Sequence, residues 1–83
     1  MESIDAELLR LVNKVRRNKG VPEVGPLSGD LHLREGLQFD SLDLAELTVR
    51  IEERFGVDVF DEGVVQRWSE VCERVQRHVA GKH

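Results

Sequence analysis

Hydrophobic side chains recur at helical spacing near the start of the chain. Aliphatic residues fall at positions i, i+4, i+7, i+8 and i+11, namely Ile4, Leu8, Leu11, Val12 and Val15. This spacing is typical of one face of an amphipathic helix. Ser3 can cap the first turn, and Gly20 can end the segment. The pattern therefore predicts a helix over residues 4–18.

A second amphipathic pattern begins at Asp40 or Ser41. Its inward positions are Leu44, Leu47, Thr48, Ile51 and Phe55. Asp40 is suited to cap the helix, Asp43 stands at its third position, and Gly56 can end its last turn. We therefore predict a helix over residues 41–55 that begins with Ser41, whose hydroxyl points outward.

The rest of the chain predicts one long connection and two further helices. Residues 20–39 contain Pro, Gly and spaced leucines, which indicates a loop packed against the helices. A short helix is predicted over residues 61–66, and Ser69 is expected to cap a last helix over residues 69–80. The predicted fold is an all-α four-helix bundle with a long first loop and a short third helix, in one domain spanning residues 1–83.

Composition limits the domain to one small core and few kinds of chemistry. The 83 residues are 40% hydrophobic and include one cysteine, Cys72. A single cysteine excludes an internal disulfide and a cysteine-based zinc site. No apolar run is long enough to span a bilayer, and the first residues lack the pattern of an export signal. We therefore expect a cytoplasmic protein that does not insert into membranes.

Charge is unevenly distributed along the chain. Residues 40–54 hold five acids and two bases, and residues 55–63 hold three acids and no base, within a net charge of −4. Such an acidic surface favours basic protein partners and disfavours nucleic acid. A helix-turn-helix DNA-binding protein would present a basic recognition helix, so the acidic central helix argues against this class.

The segment around Ser41 resembles the modification site of acyl carrier proteins. The resemblance is carried by Asp40-Ser41-Leu42 with Asp43 and Glu46, by residues 31–37 ahead of them, and by residues 51–59 after them. The ordered combination at these spacings is far more specific than an isolated Asp-Ser-Leu. It implies the fold of that family and a discrete carrier domain.

The resemblance also implies a function and a cofactor. Ser41 would bear a 4'-phosphopantetheine arm derived from coenzyme A, with Asp40, Leu42 and Asp43 as the context of the modification site. The protein would be a carrier and not an enzyme. Its cargo would be acyl intermediates, held as thioesters during fatty acid, polyketide or related acyl biosynthesis.

Partner docking is implied for one face of the second helix. The matching positions are Leu42, Asp43, Ala45, Glu46, Val49, Glu52 and Glu53. The implied partners are a phosphopantetheinyl transferase and acyl-loading and acyl-processing enzymes with basic docking patches. Arg50 and Arg54 interrupt the acidity, which leaves open whether the partners are general fatty-acid enzymes or a more specialised set. We expect the carrier to be a monomer.

Two other functions fit the same fold. One is an aminoacyl or peptidyl carrier of a nonribosomal pathway, and the other is an unmodified helical structural subunit. Catalysis by Ser41 is disfavoured, because neither His32 nor His78 lies in a recognisable triad motif. The acids near residue 60 lack the spacing of a calcium loop, and we interpret them as a solvated patch.

Trp68 and Cys72 are interpreted as packing residues of the last helix. A second hypothesis for Trp68 follows from the resemblance, which implies that an acyl chain folds back between the second and third helices. The residues along such a path would be Leu47, Ile51, Val59 and Val64. The indole would then limit its far end.

Overall fold

The computed structural model describes residues 3–60 and 65–81. Within these ranges there are four helices: α1 Ile4–Asn18, α2 Leu33–Leu37, α3 Ser41–Phe55 and α4 Trp68–Ala80. No strand occurs among the described residues, although His32 and Arg67 form an isolated antiparallel bridge. The predicted all-α class is confirmed, and the predicted bounds of α1 and α3 match the observed helices.

One aliphatic core holds the helices together. Helix α1 lies against both α3 and α4. The most deeply buried side chains are Leu8, Val12, Val15, Leu33, Leu37, Ile51, Val59, Val71 and Val75. Burial of such side chains contributes about 1.5–3 kcal/mol each, so this cluster is the main favourable term in the stability of the fold.

The ends of α1 and α3 follow from their capping residues. The Ser3 hydroxyl accepts a hydrogen bond from the Ala6 backbone N–H at 3.1 Å, which satisfies one free donor of the first turn of α1. Gly56 ends α3 in the left-handed region at φ 74°, a conformation that costs glycine little. Both caps were predicted from the sequence and are confirmed.

The long connection contains a helix that the sequence did not predict. Helix α2 has only five residues, too few for a hydrophobic period to identify. Its Leu33 and Leu37 are buried, and the guanidinium of Arg16 donates to the Leu37 carbonyl at 2.7 Å. Tertiary contacts therefore fix this short helix against the bundle.

The start of α4 differs from the prediction. Ser69 was expected to cap this helix, but it lies one residue inside it, because loop carbonyls bind the first backbone donors. Trp68 N–H donates to the Leu31 carbonyl at 3.0 Å, and Ser69 N–H donates to the Gly29 carbonyl at 3.0 Å. The Glu70 carboxylate accepts the Gln66 and Arg67 N–H groups, and these hydrogen bonds lower the pKa of Glu70.

The predicted helix over residues 61–66 falls largely on residues 61–64, which lie outside the described residues. Its last two residues, Val65 and Gln66, are not helical. The Gln66 carbonyl instead accepts the Leu33 N–H at 2.9 Å, so this segment is held extended beside α2. The helix prediction was wrong for these two residues, and the carbonyl of Gln66 is bound across the fold instead of within a helix.

Candidate functional site

Ser41 is the first residue of α3, and its side chain is exposed. The cap of this helix is made by its neighbours. The Asp43 N–H donates to Asp40 Oδ1 at 2.9 Å, and the Asp40 N–H donates to Asp43 Oδ2 at 3.0 Å. This reciprocal capping box leaves the Ser41 hydroxyl without a role in the cap. That hydroxyl accepts one hydrogen bond, from Arg34 Nη2 of α2 at 2.9 Å.

Asp43 is turned toward α1 and is nearly buried. Its side chain is 12% exposed and accepts a hydrogen bond from Lys19 Nζ at 2.6 Å. Lys19 Nζ also donates to the Gln38 carbonyl, so it ties the end of α1 to the start of α3. The Lys19 hydrogen bond is the largest influence on the Asp43 carboxyl and lowers its pKa. Asp43 was predicted as a docking residue, but this geometry makes it a structural residue, because its carboxylate faces Lys19 and not solvent.

A groove of about 760 Å³ runs beside Ser41, between α3 and the segment that follows it. Its apolar wall consists of Leu44, Ala45, Val49, Phe60 and Val65. Thr48 also lines it, with a hydroxyl that donates to the Leu44 carbonyl at 2.8 Å. Arg34 stands at the same groove as Ser41. A volume of this size, with mostly apolar walls, suits a small organic ligand.

The outer face of α3 carries exposed apolar and acidic side chains. Leu42 is 78% exposed and Val49 is 54% exposed. Glu52 and Glu53 are exposed on the same helix, and so is Ala45. Leu42 and Val49 lie two turns apart on one side of α3, with Ala45 between them.

The basic residues of α3 are paired with carboxylates. Arg50 Nε donates to Glu46 Oε2 at 2.9 Å, and the amide of Asn18 donates to the same oxygen. Arg54 forms an ion pair with Glu7 of α1. The two arginines that interrupt the acidic pattern in the sequence are therefore neutralised within the fold. Glu46 is half-buried in this network and is less available than Glu52 and Glu53.

Trp68 does not reach the groove beside Ser41. It is 5% exposed, which confirms its interpretation as a packing residue, and it lines a second cavity with Leu27 and Cys72. The hypothesis that the indole limits the far end of an acyl path stays a prediction. Leu47, Ile51 and Val59 of that path are buried in the core, and Val64 lies outside the described residues.

Cys72 has the properties of a packing residue. It is half-buried, and burial, followed by the nearby Asp5 carboxylate, raises the pKa of its thiol to about 12. A thiol with so high a pKa is a poor nucleophile at neutral pH. Among the described residues no group of three or more His, Cys, Asp or Glu is placed to hold a metal ion. No helix in the same ranges has the length and apolar character needed to cross a membrane.

Sequence reasoning missed the contribution of Arg34 and Phe60 to this site. Both come from outside α3, and both reach the groove only because the chain folds back. Arg34 stands seven residues before Ser41, and no sequence motif links the two positions. The short turn between α2 and α3 brings Arg34 close to Ser41, but its sequence alone does not predict this contact.

Comparison with known proteins identifies the family of this chain. The family described as "Phosphopantetheine attachment site" matches residues 9–66, which include all of α3. An acyl carrier protein of Rickettsia bellii (strain OSU 85-389) is 30% identical over 80 residues, covering 94% of this chain and 98% of the relative. An acyl carrier protein of Rubrobacter xylanophilus is 32% identical over 56 residues, covering 68% of this chain and 69% of the relative. No solved structure matches the chain significantly.

The chain therefore belongs to the acyl carrier protein family. Members of this family are carriers and not enzymes. Their prosthetic group is 4'-phosphopantetheine, which is attached covalently.

Proposed function

We propose that Ser41 carries the 4'-phosphopantetheine arm and that this protein transports acyl intermediates as thioesters on it. The observation that supports this assignment best is the Ser41 hydroxyl itself. It is exposed at the first residue of α3, beside an apolar groove, and the helix cap does not need it. A modifying enzyme requires such access.

The surroundings of Ser41 fit the group. A helix N-terminus favours an anion through its free N–H groups and its dipole, so the phosphodiester would be tolerated there. Asp40 and Asp43 would keep α3 capped whether or not Ser41 is modified. When bound, the arm supplies a terminal thiol that holds an acyl group as a thioester. The half-buried Cys72 thiol, with its raised pKa, does not compete for that role.

The groove supports an acyl cargo. Leu44, Phe60 and Val65 present an apolar wall that a hydrocarbon chain can contact, and each buried methylene contributes about 0.8 kcal/mol. We place the protein in fatty acid, polyketide or related acyl biosynthesis on this basis. An aminoacyl cargo would bring an ammonium group, which the apolar wall does not stabilise; among the described residues, the carboxylates that line the groove are those of Glu35 and Asp58.

We further propose a docking surface on α3, formed by Leu42, Ala45, Val49, Glu52 and Glu53. These side chains are exposed and combine apolar contacts with carboxylates. A phosphopantetheinyl transferase and acyl-processing enzymes with basic patches would be its partners, because complementary charge steers association. Glu46 lies at the edge of this surface, and Asp43 is not part of it.

The cargo assignment is tested on the protein bearing the arm. Purified holo-protein is offered fatty acyl groups by an acyl-loading enzyme and amino acids by an adenylating enzyme, and thioesters are measured by intact mass with and without hydroxylamine. We expect hydroxylamine-labile acyl adducts on the wild type and none on Ser41→Ala. Loading by amino acids alone would assign the protein to nonribosomal synthesis. A modified arm that accepts neither donor would contradict the acyl assignment.

A further inference from the structure

Arg34 provides the charged group in contact with Ser41. Its Nη2 donates to Ser41 Oγ at 2.9 Å, which links α2 to the start of α3. The side chain is exposed and stands at the mouth of the groove. The bond is made to a neutral hydroxyl, although a guanidinium binds more strongly to an anion.

The positive charge of Arg34 has no carboxylate partner among the residues that the structure describes. The other cations near this end of α3 are already bound within the fold. Lys19 forms its ion pair with Asp43, and Arg16 donates to the carbonyls of Pro22 and Leu37. Arg34 is therefore the cation near Ser41 that remains available to a new anion.

We propose that Arg34 binds the phosphodiester of the arm and anchors its first bonds at the mouth of the groove. This inference rests on the proposed attachment at Ser41. Once Oγ is esterified it has lost its proton, and the negative charge lies on the non-bridging phosphate oxygens, two bonds beyond Oγ. The planar fork of a guanidinium matches two such oxygens, so the neutral hydrogen bond becomes a charge-assisted one. Arg34 then acts as a positioning residue that sets where the arm leaves Ser41.

The test compares the apo and holo forms of the wild type, Arg34→Gln, Arg34→Lys and the control Arg54→Gln. Arg54 is also an exposed arginine, but it lies near the end of α3, about 20 Å from Ser41 along the helix axis. Intact mass first establishes that each protein carries one arm. The melting temperature of each form is then measured at low and high salt. Phosphorus NMR, with arginine labelled by ¹⁵N, reports the contact directly.

For each protein, the change in melting temperature on attachment of the arm is the holo value minus the apo value. At low salt we expect this change to be more positive for the wild type than for Arg34→Gln by roughly 1–8 °C, the range for an exposed charge pair in a small domain. High salt should reduce this difference. Arg34→Lys should retain part of it, and Arg54→Gln all of it. The holo wild type should show a coupling between one arginine Nη and the phosphorus, which Arg34→Gln lacks.

Equal shifts in all four proteins, with no such coupling, would overturn the proposal while leaving attachment at Ser41 intact. Failure of the wild type to gain an arm at Ser41 would instead refute the proposed function, and the mass measurement reveals this before any comparison of arginine variants. The two failures are therefore distinguishable.

Discussion

Three polar residues within the four positions 40–43 have different roles at the start of α3. Asp40 and Asp43 satisfy the backbone through the capping box, and Lys19 compensates the charge of Asp43. Ser41 between them makes no capping hydrogen bond and faces outward. The hydroxyl is thus free to be changed chemically, while the carboxylates preserve the helix that presents it.

The first prediction concerns Asp43. Asp43→Asn should lower the free energy of unfolding at pH 7 by about 1–2 kcal/mol, because it weakens the capping box and removes the charge facing Lys19. The pKa of the folded carboxyl lies below its ordinary value of 3.8, so its stabilisation is complete above that value. The contribution is lost as the pH falls through the lowered pKa of the folded state.

Urea denaturation of the wild type and Asp43→Asn between pH 7 and pH 3 measures this effect. The stability difference should stay constant down to about pH 5 and shrink below pH 4. Glu53→Gln serves as the control, since Glu53 is an exposed carboxylate of the same helix without a capping role. A difference that persists unchanged at the lowest pH would show that the Asp43 charge contributes nothing.

At the scale of the element, α3 serves two purposes with its two faces. Leu47 and Ile51 are buried in the core, whereas Val49 and Glu53 are exposed. Changes on one face should therefore affect stability, and changes on the other should affect partner recognition.

The second prediction separates these effects. Val49→Asp and Glu53→Lys should lower kcat/KM for the transferase by roughly tenfold, equivalent to about 1.4 kcal/mol, and change stability by less than about 0.5 kcal/mol. Leu47→Ala should instead lower the free energy of unfolding by about 2–5 kcal/mol, because it leaves a cavity. Steady-state kinetics and denaturant titration measure the two quantities.

Glu73→Lys is the matched control, because it reverses an exposed carboxylate on α4. Its kinetics should equal those of the wild type. If it slows the transferase as much as Glu53→Lys does, recognition depends on net charge and not on the docking surface of α3.

How well each element could be predicted depends on where its hydrogen bonds and contacts come from. Helix α1 and helix α3 carry their own caps and a hydrophobic period over 15 residues each, so the sequence alone locates them. Helix α2 and the first turn of α4 depend on partners remote in sequence. The bonds from Leu33 N–H to Gln66 and from Trp68 N–H to Leu31 fix them, and no local pattern encodes such pairings.

The same distinction applies to the site. Ser41 and the capping carboxylates lie within four consecutive positions, and the resemblance identified them. Arg34, Phe60 and the inward orientation of Asp43 require the folded chain, because each depends on an element outside α3. The cavity that Trp68 lines with Leu27 and Cys72 likewise requires the folded chain, because Leu27 belongs to the long connection.

At the scale of the whole molecule, the long connection is part of the scaffold. The Asn13 amide donates to the Val24 carbonyl at 2.9 Å, and its oxygen accepts the Val24 N–H at 2.7 Å. Arg16 binds the carbonyls of Pro22 and Leu37. These bonds hold the connection against α1 and carry α2, with Arg34, to the side of Ser41.

The third prediction concerns cargo. Acyl chains of increasing length on the arm should raise the melting temperature until the groove is filled, with each buried methylene contributing about 0.8 kcal/mol at most. In Ala45→Leu, which narrows the groove, the melting temperature should stop rising at a shorter acyl chain. Trp68→Ala should have a lower melting temperature in every form. Its melting temperature should stop rising at the same acyl chain length as in the wild type, because Trp68 lines the other cavity. A plateau that moves with Trp68→Ala and not with Ala45→Leu would place the cargo elsewhere.

The mass and position of the arm report directly whether Ser41 is the attachment site. The wild type, Ser41→Ala and Ser69→Ala are incubated with coenzyme A, Mg²⁺ and a broad-specificity phosphopantetheinyl transferase, then analysed by intact mass and peptide mapping. We expect a single phosphopantetheine on the wild type and on Ser69→Ala, located on Ser41, and none on a folded Ser41→Ala. An unmodified wild type with several transferases, or an arm on another serine, would contradict this expectation.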